Sequence, residues 1–347
     1  MKAFVPFVMT AAVCFGAATT AFAQDAEPTT EGLPATLGKI ERLDPALDAL
    51  LPADAKTEVL AGGFVWTEGP EWLPAEKALV FSDIPRNLIF RWQEGQPVSV
   101  FKKEVGYTGK EPFLGEEPGT NGLMLDPQGR LTACCHGDRC VKRINADGTL
   151  ETLVAEYEGK HLNSPNDLDF NKAGELFFTD PPYGLPKGWD DPARQIDFCG
   201  VYRLGADGKL TLMTKEMTRP NGIAFSPDFK NLYVANSDPK IAIWKRFPVR
   251  DDGTLDNGQL FFDATDKVNA ENPGLPDGMA VDAKGNVWAT GPGGVWIFDP
   301  NGKPLGRIFT GERTSNCTFG GPNGTTLYMT VDDYLCRIET SVTGAAR

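Results

Sequence analysis

Two histidines and seven serines in 347 residues leave little material for the commonest nucleophile-and-base constellations. No Gly-x-Ser-x-Gly elbow occurs, so no serine is placed for the usual strand-to-helix nucleophile turn. There is no Cys-x-x-Cys, and with only His136 and His161 beside seven cysteines a Cys/His zinc cluster has little support. Basic residues are scarce: 34 Lys and Arg face 47 Asp and Glu, a net charge of −13. That balance argues against a surface for phosphate backbones or anionic lipid, so neither nucleic acid nor a membrane is expected as a partner. Beyond the first two dozen residues no apolar run approaches the roughly 18 that a membrane helix needs. Helical periodicity is nearly missing too, apart from a short stretch between Asp44 and Leu51 that Asp44 can cap, with Pro45 at its first position.

What is present begins with an export signal. Lys2 precedes an apolar stretch from Ala3 to Ala18, and Ala21-Phe22-Ala23 fits a small-x-small cleavage site before Gln24. Residues 1–23 are therefore expected to be removed on the way to a bacterial periplasm or beyond, where disulfides are permitted. Cys14 leaves with the signal. Of the six cysteines that remain, Cys135 and Cys140 could face each other across a tight hairpin, although six thiols allow fifteen full pairings. Residues 24–40, rich in Pro, Thr and Glu, read as a flexible lead-in, and residues 41–347 as one folded unit.

That unit is repetitive. Asn121-Gly-Leu-Met-Leu-Asp, Asn166-Asp-Leu-Asp-Phe-Asn, Asn221-Gly-Ile-Ala-Phe-Ser and Asp277-Gly-Met-Ala-Val-Asp share one pattern, with Glu68-Gly-Pro-Glu-Trp and Asn316-Cys-Thr-Phe-Gly as diverged first and last copies. The period of about 50 residues suits a four-stranded propeller blade, so the expected fold is all-β, a six-bladed β-propeller. Short β-rich runs recur inside each unit, such as Leu176-Phe-Phe-Thr and then Val201-Tyr-Arg-Leu, separated by Gly, Asn or Asp turns. The last unit ends at Tyr334-Leu-Cys-Arg-Ile without a fourth strand. Thr57-Glu-Val-Leu-Ala is the spare strand expected to complete it and close the ring.

In a propeller the residues at the start of the innermost strands converge on one face. Here they are Glu68, Asn121, Asn166, Asn221, Asp277 and Asn316, all oxygen donors. Asn-Gly and Asp-Gly also suit plain turns, whose side chains bond their own backbone. Glu68 stands in the same register, where no turn needs a Glu. A ring of carboxylate and amide oxygens without thiolate or imidazole is what calcium, magnesium or manganese prefers.

Six segments taken in order resemble the senescence marker protein-30, gluconolactonase and luciferin-regenerating enzyme family. They are Glu68-Gly-Pro-Glu-Trp, Phe81-Ser-Asp-Ile-Pro, Ser164-Pro-Asn-Asp, Thr179-Asp-Pro-Pro-Tyr-Gly, Arg219-Pro-Asn-Gly and Pro276-Asp-Gly-Met, and the likeness runs from about Ile40 to Ile338. The resemblance implies one divalent cation held by Glu68, Asn221 and Asp277, with Asn166 at the same metal or at its bound water and substrate. Calcium is the first expectation for that ion, with magnesium, manganese or zinc as others. The activity implied is hydrolysis of a small-molecule lactone, most often a sugar lactone. Two other readings remain: the same metal acting on another ester or a phosphotriester, and a propeller that binds without catalysing.

A cation that polarises a carbonyl leaves water as the nucleophile, and the proton of that water needs an acceptor. Asp277 is placed for it, yet a metal-bound carboxylate is a weak base. His136 ends a second strand that returns to the same face, and histidine ordinarily titrates at about 6.5. It reads as a base, as a substrate contact, or as a solvated hairpin residue beside Gly137-Asp138. His161 reads as a loop residue that could touch substrate. Asp180, Asn236, Asp238 and Asp332 end second strands on the same side and could line an inner wall or meet substrate hydroxyls. Two long insertions, Lys102 to Gly119 and Tyr183 to Cys199, are placed to shape a pocket, with Trp189 either stacking on a sugar ring or packing its own loop.

Overall fold

The computed structural model describes residues 27–346; the expected signal segment, residues 1–23, lies outside them. Six sheets surround a central axis as a six-bladed β-propeller. Blade 1 consists of Thr67–Leu73, Ala78–Asp83, Leu88–Trp92 and Ser99–Lys103, and blade 2 of Thr120–Leu125, Leu131–Cys135, Cys140–Ile144 and Leu150–Val154. Blade 3 runs through Leu168–Phe170, Leu176–Asp180, Gly200–Leu204 and Leu210–Thr214, and blade 4 through Pro220–Phe225, Asn231–Asp238, Ile241–Pro248 and Gln259–Asp263. Blade 5 is Met279–Val281, Val287–Gly291, Gly294–Phe298 and Pro304–Phe309. Blade 6 has only Thr314–Gly320, Thr326–Val331 and Tyr334–Glu339 from the C-terminal end of the chain. Its fourth strand is Thr57–Gly62, antiparallel to Tyr334–Glu339 with Cys336 opposite Val59, as the spare strand requires.

The lead-in expected over residues 24–40 is shorter than its composition suggests. Thr29 bridges Gly62, Thr36–Leu37 pairs with Thr57–Gly62, and Lys39–Arg42 pairs with Pro304–Phe309. Both outer edges are thereby covered, making blades 5 and 6 five-stranded. Between these strands lies a single turn of 3-10 helix, Pro45–Ala49, with the Asp44 carboxylate accepting from the Ala46 N–H and Leu47 buried against blade 5.

Second strands such as Ala78–Asp83 and Leu131–Cys135 are buried at every position, because a neighbouring blade lies on each face. The apolar clusters accordingly fall at the junctions between blades, for example Val80 and Ile89 against Leu123 and Ala133, or Trp244 against Met279 and Trp296. Polar bonds close the same junctions nearer the axis. Ser82 Oγ donates to Asn121 O (2.8 Å), the Gly122 N–H to Asn166 O (2.8 Å) and Thr179 Oγ1 to Asn221 O (2.7 Å). Ser237 Oγ donates to Pro276 O, Thr290 Oγ1 to Ser315 O (2.9 Å), and Ser315 Oγ to Thr67 O (2.7 Å), which joins the last blade to the first. Buried carbonyls at the channel wall are satisfied by the next blade, so these bonds fix the spacing of the ring.

Candidate active site

The inner strands of blades 1, 2, 4 and 6 break register where they meet the axis: between Glu68 and Glu71, Thr120 and Leu123, Pro220 and Ile223, and Thr314 and Asn316. Such a bulge re-aims the side chain next to it. In blades 3 and 5 the strand begins only after Asn166 and Asp277. The segments that carry the six expected residues thereby stand side by side around the channel. Asn316 Nδ2 donates to Glu68 Oε2 (3.2 Å), and Asn121 Nδ2 lies 3.4 Å from His136 Nε2. A Cβ on Gly222 would sit 2.2 Å from Asp277 O, one on Gly278 2.0 Å from Asn316 Cγ, and one on Gly69 2.1 Å from Asn121 O. The glycine after a ring residue is thus a place where the next blade comes into contact. Only Gly69, at φ +50°, needs a left-handed backbone among Gly69, Gly122, Gly222 and Gly278, so the recurring Asn-Gly and Asp-Gly pairs are packing features more than turns.

The ring is starved of donors. Asn121 Oδ1, Asn166 Oδ1 and Asp277 Oδ1 are enclosed and have no hydrogen-bond partner. Asp277 as a residue keeps some exposure, whereas its Oδ1 does not. Burial pushes the Glu68 carboxyl up to about 8, with the Asp167 and Glu117 charges adding to it. Burial likewise raises Asp277 well above the usual carboxylate range, reinforced by Glu68, Asp167 and Glu117. Asp167, immediately after Asn166, rises to about 7 for the same first reason, although the Leu168 and Ile223 N–H groups oppose the shift. Among the described residues, no three His, Cys, Asp or Glu side chains are grouped to hold an ion by themselves. Any cation here would draw on the Asn oxygens as well.

His136 is completely buried, which removes the reading of a solvated hairpin residue. Its Nδ1 lies 3.1 Å from Glu117 Oε2, a residue of the Lys102 to Gly119 insertion that no motif singles out. The loop after Asp180 covers the other side: a Cβ on Gly184 would come within 2.5 Å of His136 Cβ. His161, by contrast, is exposed on a two-stranded hairpin with Glu156–Tyr157, its ring 3.8 Å from Glu156. Tyr183 and Trp189 pack edge to face at 5.4 Å, so the insertion is stabilised by its own aromatics, and the Arg219 guanidinium stacks on Trp189 at 4.4 Å. Burial first, and then the Asp277 charge, keep the Tyr183 hydroxyl protonated, with Ser237 opposing the shift.

The acidic and amide residues that end second strands brace backbone. Asp180 accepts from the N–H groups of Asn163 (2.8 Å) and Ser164 (2.9 Å), and Asn236 Oδ1 from Arg219 N (2.7 Å). Asp83 does the same for Val65 (3.1 Å). Each holds the turn that delivers Asn166, Asn221 or Glu68 to the axis. Asp238 meets Thr218 at 2.9 Å and Asp332 meets Arg313 at 3.4 Å, both on the exposed side. Cys135 and Cys140 do stand opposite each other across their hairpin, and all six cysteines of the described residues are buried thiols.

Known proteins resemble this chain over most of its length. The chain is 37% identical to a gluconolactonase of Zymomonas mobilis, covering 96% of this chain and 94% of that one. The solved structure of a gluconolactonase of Xanthomonas campestris superposes with a TM-score of 0.75 and 35% identity, over 89% of this chain and 97% of that one. A pentonolactonase of Haloferax volcanii is 26% identical over 76% of this chain and 80% of its own. The model of the SMP-30/Gluconolactonase/LRE-like region matches residues 66–332, and the chain belongs to that family.

Proposed function

We propose that this chain hydrolyses a lactone, of the sugar-lactone class, at the ring of Glu68, Asn166, Asn221 and Asp277. The observation that carries the reading is the set of enclosed, partnerless oxygens beside buried Glu68, in a chain aligned almost end to end with a gluconolactonase. Carboxyls pushed upward by burial and by one another mark a place that favours added positive charge. Glu68, Asn221 and Asp277 would hold one divalent cation with Asn166 beside it, and an all-oxygen donor set favours calcium, followed by magnesium and manganese, with zinc less suited. Such an ion, when bound, polarises the ester carbonyl and stabilises the charge that develops on its oxygen.

The chain's own groups would do the rest. Asn166 Oδ1 can accept from a substrate hydroxyl or from the attacking water. Tyr183, Trp189 and Arg219 would form the wall against which a sugar ring lies. The proton of the water can pass to Asp277 or to His136. The pH-rate profile of His136→Gln separates them, since loss of a general base lowers turnover by roughly 10²- to 10⁴-fold and removes its limb of the profile.

The direct test is hydrolysis of aldonolactones, simple γ- and δ-lactones and a phosphotriester after chelation, then with calcium, magnesium, manganese or zinc added back. Aldonolactone hydrolysis that disappears on chelation and returns with a divalent ion is expected. Undiminished hydrolysis in chelator would remove the cation, and turnover of the phosphotriester alone would replace the substrate class. Export after cleavage behind Ala23 is part of the proposal, supported by Lys2 and the apolar stretch after it. The mass of the mature protein, starting at Gln24, checks it.

A further inference from the structure

We propose that Glu117 is the positioning residue of His136, fixing the imidazole with its proton on Nδ1 and its Nε2 lone pair turned to the ring. The inference rests on the hydrolase reading above only for its consequence on turnover. Two contacts and the exclusion of the flipped amide support it. Glu117 Oε2 is 3.1 Å from Nδ1 of a histidine that has no exposed surface. On the other side of the imidazole, Nε2 faces the Asn121 amide nitrogen at 3.4 Å, a donor, so Nε2 is the accepting atom and Nδ1 the protonated one. The flipped Asn121 amide would instead meet an Nε2 proton, leaving a bare Nδ1 lone pair against a carboxylate, which is repulsive unless both nitrogens are protonated.

The backbone keeps the two side chains together. The His136 N–H donates to Gly119 O (3.1 Å) and the Gly137 N–H to Pro118 O (3.2 Å), so the residues directly after Glu117 are bonded to the hairpin that carries the histidine. Gly184 packs against the root of the histidine side chain. The carboxylate lies off the direction of the Nδ1–H bond, so the contact as it stands is between charge and dipole. Glu117 keeps about a third of its surface exposed and has room to rotate into line, a tightening common when a substrate enters. A carboxylate that orients a histidine in this way selects its tautomer and steadies the imidazolium formed when it takes a proton.

The chain's two histidines make the test clean, since His161 is exposed and readily told apart. Nitrogen-15 NMR of the imidazole rings reads the tautomer directly in wild type, Glu117→Gln and Glu117→Ala, with or without catalytic activity. Wild type should show His136 protonated on Nδ1. Glu117→Ala, assayed at saturating divalent cation, should shift or mix the tautomers and lower kcat roughly 10- to 100-fold, the usual loss for a partner behind a functional histidine, with KM kept. Glu117→Gln, which retains an accepting oxygen, should keep the tautomer and recover part of the rate. An unchanged tautomer in Glu117→Ala overturns the positioning role, and a changed tautomer with full kcat overturns its link to turnover. A wild-type protein that opens no lactone would sink the hydrolase reading while the NMR arm still decides whether Glu117 holds His136.

Discussion

At the ring, single atoms decide how near two blades may come. Gly222 and Gly278 leave no space for a methyl group, since a Cβ would overlap Asp277 O and Asn316 Cγ, the very residues of the neighbouring blade that face the channel. Gly222→Ala is therefore expected to cost about 1–3 kcal/mol, the range for overpacking a tight contact, and to weaken cation binding by displacing Asp277. Gly205→Ala is the control, because its near contact is the end of the exposed Asp207 side chain, not the backbone of a neighbouring blade, and its own backbone has no positive φ. Equal denaturant midpoints for the two variants would count against the packing account. Glu68→Gln and Asp277→Asn each remove a charge from the oxygen set and should weaken calcium by at least about tenfold in a titration, where a surface Glu58→Gln should not. The ring itself was legible in the sequence because its members recur at one point of a repeat. Glu117 was not, since nothing distinguishes it from Glu116 until the hairpin bonds Pro118 and Gly119 and brings His136 beside it. From sequence alone Asp180 and Asn236 fit a channel wall or a substrate contact equally well. Their bonds to backbone N–H groups appear only once the chain is folded.

At the scale of strands, closure of the ring depends on Thr57–Gly62. The missing fourth strand of blade 6 and the unassigned β-rich run near residue 57 made this pairing readable in advance. The outer additions were harder to foresee: Thr36–Leu37 is two residues long, and Lys39–Arg42 has charged ends that suit an exposed edge as well as they suit a tail. Removing residues 24–34 takes away the single Thr29–Gly62 bridge and should leave the melting temperature within a few degrees of the full mature chain. Removing residues 24–62 strips one strand from blade 5 and two from blade 6, exposes both edges, and should yield aggregated or unfolded protein. Similar melting temperatures for both truncations would mean that the ring closes without the N-terminal strands.

Over the whole molecule, the ring's acidity couples folding to pH and would couple it to a bound cation. The Glu68 carboxyl stands at about 8 in the folded chain against an ordinary 4.5, and Asp167 at about 7 against 3.8, both raised first by burial. Between those limits the folded state binds more protons than the unfolded one, so the stability these groups contribute is complete below their ordinary values and is lost as pH rises through about 8. Asp126 acts in the opposite sense: burial is outweighed by the Arg130 N–H groups, which hold it below 3.8, so its effect belongs to more acid solution. With chelator present, the melting temperature should accordingly fall between pH 5.5 and 8.5. A divalent cation replaces the protons and must compete with them, so saturating calcium should raise the melting temperature more at pH 8.5 than at 5.5. At a free concentration a hundred times its dissociation constant it would add about 2.7 kcal/mol. Scans at both pH values, with chelator and with calcium, read the two effects together. A chelated protein that grows more stable toward pH 8.5, or calcium shifts equal at both values, would mean that the buried carboxyls at the channel are not where the ion binds.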